Sequence, residues 1–253
     1  MYFRRLIYIV LGILLSVSAS FAAGTASPFS RYGYGEFQNP VSGALLSMGG
    51  LGYGMRTNRV INPSNPASYT SIDSLTFMMD LGVSGVIDGS KTAVGRNTQF
   101  AGNIDYVAFQ MPLAEWAAIS FGVNPLTVVG YEYKFTDTQP SYNYEDSLNV
   151  SQYFYGKGGI TQVYLGLSFD ICDRVAVGVN GRYLFGNIMH YREVTFPDEP
   201  LFNMTKYQNA VYVSAWECDF GIQYHQPIGE DDMLVLGGTY TMKLAMNNKT
   251  EIT

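Results

Sequence analysis

The sequence predicts an all-β fold: an antiparallel transmembrane β-barrel of the outer membrane, preceded by an amino-terminal plug. Three observations carry this. Apolar and polar residues alternate with a period of two over most of the chain from residue 73 onward. Charged residues make up only 14% of the 253 positions, against roughly 25% in ordinary soluble domains. Tyr (20), Phe (15) and Gly (27) are abundant, yet beyond the leader no apolar run is long enough for a spanning helix.

Residues 1–22 read as a signal peptide. Arg4 and Arg5 precede an apolar run from Leu6 to Val17, and small residues lead to a cleavage site after Ala22. The run is too short for a membrane anchor, which needs about 20 residues. The chain is therefore expected in the cell outer membrane.

Residues 23–72 carry no strand period. "SPFSRYGYGEF" and "SMGGLGYGMR" are rich in Gly and aromatics, and "RTNRVINPSNPASYTSIDS" places Pro63 and Pro66 after asparagines. Proline fixes φ and removes a donor, so this stretch breaks both helix and sheet. Many aromatics and little net charge argue against disorder. A compact element inside a barrel lumen is the expectation, because irregular backbone is tolerated where lipid does not reach it.

Residues 73–253 supply the wall. Strands are expected near 74–87, 102–111, 116–133, 160–171, 175–195, 210–225 and 233–250. In the first, Phe77, Met79, Leu81 and Val83 oppose Met78, Asp80, Gly82 and Ser84. The apolar face should meet lipid and the polar face line a lumen. Gly82, Gly122, Gly166 and Gly178 on the polar face would leave room inside. Trp116, Tyr131, Tyr133, Tyr153, Phe154, Tyr155 and Tyr191 cluster at strand ends, as interfacial girdles do. Connections 112–115, 172–174 and 227–232 are tight. Segments 88–101, 134–159 and 196–209 read as long polar extracellular loops, one of them a candidate surface for a partner protein. Seven strands is an odd number where single-chain bacterial barrels have even ones. The expectation is thus a truncated chain, the amino-terminal part of a longer barrel.

Several function classes are disfavoured. A net charge of −6 argues against nucleic acid. Cys172 and Cys218 are too few for a disulfide framework. His190 and His225 have no second ligand at metal spacing, and no acid–base constellation stands out, so neither a metal, a cofactor nor an enzyme activity is expected. Arg56 and Arg59 could neutralise a carboxylate ligand, or pair with lumen acids such as Asp80 or Asp105. Arg182 reads in the same way.

"SMGGLG" (47–52) followed by Asn65-Pro66-Ala67, together with "SPFSRYGYGE" and "NPLTVVGYEY" (124–133), resembles the FadL-like transporters of long-chain fatty acids and aromatic hydrocarbons. The resemblance implies a fourteen-stranded barrel, of which this chain would hold half. It implies a hatch containing Asn65, Pro66 and Ala67, and passive uptake of a hydrophobic small molecule. A second hypothesis is a structural or assembly barrel that transports nothing and binds partner proteins. A third, a membrane-embedded hydrolase or acyltransferase, would need His190 or His225.

Overall fold

The computed structural model describes residues 27–38, 42–91, 96–140, 147–196, 203–228, 232–242 and 245–253. The expected signal peptide, residues 1–22, lies outside them. The chain forms one antiparallel sheet that curls into a half-barrel. Its strands are β1 (Glu36–Phe37), β2 (Met78–Lys91), β3 (Arg96–Ala114), β4 (Ala117–Pro140), β5 (Ser147–Cys172), β6 (Val175–Thr195), β7 (Thr205–Ile228), β8 (Asp232–Met242) and β9 (Asn247–Ile252). Strands β2 to β8 neighbour one another in sequence order, while β1 pairs with β4 and β9 with β7. Among the described residues no helix is long and apolar enough to cross a membrane, which leaves crossing by strands open.

Six strands stand where alternation places them. The seventh is split. β8 pairs with the lower part of β7 up to Cys218↔Met242, and β9 resumes at Ser214↔Asn247. Residues 243 and 244, between these pairs, lie outside the described residues. The expected long loops are also corrected. The ladders continue through most of them, to Lys91↔Arg96, to Pro140↔Ser147 and to Val194↔Thr205. What remains of the three loops, residues 92–95, 141–146 and 197–202, lies outside the described residues. Their strands were hidden because both faces there are polar or aromatic, so a period of two leaves no apolar–polar contrast.

The sheet is inside-out by the standards of a soluble protein. On one face Met79, Leu81, Val83, Leu165, Trp216, Phe220, Ile222, Leu236 and Tyr240 are exposed. Rings meet across strands there, Phe109 stacked on Phe121 at 5.0 Å and Tyr183 tilted against Trp216 at 4.7 Å. On the other face Gln110, Ser120, Asn124, Gln162, Ser168, Asn180, Asp219 and Gln223 are buried. Buried polar and exposed apolar side chains reverse the usual arrangement. The faces are those the alternation predicts.

The polar face is covered by the chain's own beginning. A 3-10 turn (Pro28–Arg31) and β1 lie against the middle of β4, and Ser30 Oγ accepts from the Gly130 amide at 3.1 Å. A one-turn helix (Gly43–Ser47), capped by Ser42, follows. A second 3-10 turn (Pro66–Ser71) packs on β5, β6 and β7. Two cores result. One joins Val129, Tyr131, Ile160, Leu184, Ile188, Val213 and Ala215, with Tyr34 against them. The other joins Tyr69, Ile72, Ala118 and Tyr164.

Candidate functional site

The seat of residues 52–72 on the polar face is built from backbone shape and amide side chains. Asn65 is fully buried and caps the second 3-10 turn: its Oδ1 accepts from the Ala67 amide at 3.1 Å. Its Nδ2 donates to Tyr53 O at 2.7 Å and to Ile222 O on β7 at 3.3 Å. Asn62, also buried, donates to Gly52 O at 2.6 Å and Met55 O at 3.2 Å. The amides thus satisfy backbone groups that water does not reach. Pro66 and Ala67 lie against two glycines that face each other across β6 and β7, Gly178 and Gly221. A Cβ on Gly178 would stand 2.4 Å from Pro66 C, and one on Gly221 2.2 Å from Asn65 Oδ1. Only glycine permits this approach.

Of the four glycines expected to leave room, two admit this segment and two do not. Gly166 faces Tyr69 and Gly178 faces Pro66, whereas the space over Gly82 is taken by Tyr106 and that over Gly122 by Tyr164, both from the sheet itself.

Polar side chains of the wall complete the seat. The Tyr69 hydroxyl donates to Asn180 Oδ1 at 2.9 Å, and Asn180 Nδ2 donates to Pro63 O at 3.0 Å. Gln110 donates to Tyr69 O, Ser168 to Ala67 O, and Gln223 to Tyr53 O and Met55 O. Burial pushes the Tyr69 hydroxyl well above its ordinary pKa, with the neighbouring Tyr164 adding to this and the Asn180 bond opposing it. It therefore stays a neutral donor. Asn180 and Ser168 sit on the strand face that sequence alternation marks as polar. Tyr69, Gly221 and Gln223 carried no local signal.

The arginines divide. Arg56 reaches Asp170 Oδ1 at 3.4 Å and donates to Ala67 O at 3.2 Å and Thr70 Oγ1 at 3.1 Å; Thr70 in turn donates to Asp170 at 2.6 Å. Burial lowers the Arg56 pKa, and the Asp170 carboxylate works against that shift. The expected partners Asp80 and Asp105 are corrected. This segment packs mainly on β5 to β7, where Asp170 stands, and Tyr106 and Ser84 serve Asp80 and Asp105 instead. Arg59 is exposed and makes no ion pair among the described residues. Arg182 meets Asp219 at 2.5 Å and Glu217 at 3.7 Å, as the polar-face reading expects.

Nearer the other end of the strands, the two faces sort the aromatic cluster. Tyr131, Tyr133 and Phe154 point inward around Arg31, which donates to the Tyr133 hydroxyl and lies 5.0 Å over the Phe154 ring. His190 Nδ1 is 2.8 Å from the Tyr131 hydroxyl, and a cavity of about 750 Å³ opens beside them. Tyr153, Tyr155 and Tyr191 point outward; Tyr155 stacks on Tyr191 at 4.5 Å, under Lys206, which pairs with Glu193 at 2.8 Å. Cys172 and Cys218 are unbridged. Among the described residues no group of three or more His, Cys, Asp or Glu could hold a metal.

Comparison with known proteins adds one finding. The family model described as BamG matches residues 2–253. No curated protein and no solved structure matches. The match overturns the resemblance to FadL-like transporters and, with it, the expectation of fatty acid or other lipid transport. The family is associated with the outer membrane and points to a function in outer-membrane assembly, with protein partners. Asn65, Pro66 and Ala67 thus seat an amino-terminal segment without marking a transporter, and the chain belongs to the BamG family.

Proposed function

We propose that this chain is a non-transporting wall of the outer membrane that serves membrane-protein assembly by binding other proteins. The observation that carries the reading is the covered polar face of β5 to β7. Residues 52–72 are seated on it by close glycine contacts, a partly buried ion pair and amide bonds, so this part of the interior serves as a core. The exposed apolar face is the side that would meet lipid, with residues 42–72 as the plug. Arg56 and Arg59 would have no ligand to neutralise, since Arg56 is spent on Asp170.

Depletion tests this. Loss of the protein should lower the amount of folded, heat-modifiable outer-membrane proteins. Uptake of hydrophobic probes, normalised to that amount, should stay constant. An unchanged outer-membrane profile with a specific loss of uptake would overturn the reading.

A further inference from the structure

The wall has a seam. β3 pairs with β4 only between Val107↔Val123 and Ala114↔Ala117. Beyond Val107, β3 runs back to Arg96 paired with β2 alone, and beyond Val123, β4 continues to Pro140 paired with β5. The two strands diverge and leave facing edges. The start of the β4 edge is already occupied by the chain itself. Glu36 and Phe37 pair with Val128 and Thr127, the Gln38 amide donates to Leu126 O at 2.9 Å, and Ser30 Oγ takes the Gly130 amide. Past Gly130 no backbone partner stands on that side among the described residues.

The Gly130 amide points away from β5, so the amides of Glu132, Lys134 and Thr136 do the same by strand alternation. Their side chains are exposed. At the fork lies a cavity of about 760 Å³ whose lining includes Ser84, Asn103, Asp105, Pro125 and Thr127. That lining is mixed, since Ile104, Val128, Phe185 and Val213 border the cavity as well. On the outer side of the β2–β3 edge, Val83, Ile87 and Phe100 are exposed and apolar.

Resting on the assembly reading above, we infer that this seam is a strand-acceptor site: it takes an extended segment of another polypeptide, antiparallel to β4, by β-augmentation. The segment is an alternating one, apolar outward beside Ile87 and Phe100, polar inward toward Asn103 and Asp105. Such a pattern is that of an unpaired barrel strand. Unpaired edges invite pairing of this kind, and β1 shows that this one accepts it.

The test is a photo-crosslinking amino acid at Thr136 in the full chain in cells, alone and combined with Lys134→Pro. The proline removes an amide on the open edge while leaving the β5 ladder intact. Adducts with polypeptide are expected, reduced about five- to tenfold by Lys134→Pro, the effect of one lost hydrogen bond. Heat-modifiability should not change. Adducts with lipid alone, no adducts, or adducts indifferent to the proline would overturn the seam. If depletion still lowers folded outer-membrane proteins in that case, the assembly reading survives and only the site is wrong.

Discussion

Gly178 and Gly221 explain at residue scale why the irregular beginning of the chain lies where it does. Each lets backbone or an amide approach to a distance that a methyl group would occupy. Gly178→Val should cost about 1–3 kcal/mol through overpacking and speed proteolysis of residues 52–72. Gly181→Ala, whose added Cβ would meet only Leu165 O at 3.9 Å, should be neutral by the same two readouts. Asn65→Ala removes a cap and two donors to buried carbonyls, a loss of about 2–3 kcal/mol. Asp170→Asn leaves the partly buried Arg56 without its counter-charge and should cost about 1–3 kcal/mol, between the limits for exposed and buried pairs. Arg59→Ala should stay within about 0.5 kcal/mol. Denaturant unfolding in detergent measures all five. Asn65 and Pro66 announced themselves in the sequence as chain-breaking residues. Their partner glycines did so only as small residues on a polar face, because which of them meets the segment is a matter of long-range packing.

At the scale of elements, the strands were legible wherever one face is apolar. Where the wall rises beyond the exposed apolar band, Tyr153, Tyr155 and Glu132 occupy one face and Phe154, Tyr133 and Arg31 the other. Both faces are then aromatic and polar, so alternation there carries no strand signal. The apolar face carries its own prediction. Leu165 is central in that band and more than half exposed, with Phe121 opposite it on β4. If the band faces lipid, Leu165→Arg should lose about 2–4 kcal/mol on folding into vesicles. In detergent-free buffer a soluble sheet would instead tolerate the charge. Thermal or urea-induced unfolding in lipid vesicles decides between these outcomes.

For the whole molecule, the order of the parts (irregular segment, then wall) was legible, and the purpose was not. Asn65-Pro66-Ala67 against the paired glycines Gly178 and Gly221 seats a segment on the polar side of a curled sheet. Such a motif reports packing and carries no information about a moving ligand. That is the physical reason the resemblance to transporters misled, and the BamG match replaces it. Protein-binding surfaces, unlike metal or catalytic sites, also leave no compact spacing to read. The seam between β3 and β4 is set by the strand registers, which no local stretch of sequence encodes.

The most direct test fixes the interior in place. Gly54 lies beside Val235 on β8, with an added Cβ 3.5 Å from Val235 O. Gly54→Cys and Val235→Cys, with Cys172 and Cys218 replaced by Ser, can be joined by a short bifunctional thiol reagent, pinning residues 42–72 to the wall. Expressed in depleted cells and crosslinked there, this variant should restore folded outer-membrane proteins as fully as its untreated form. Rescue by the untreated form that disappears on crosslinking would show that the segment must move, and would contradict a wall that works with its interior closed.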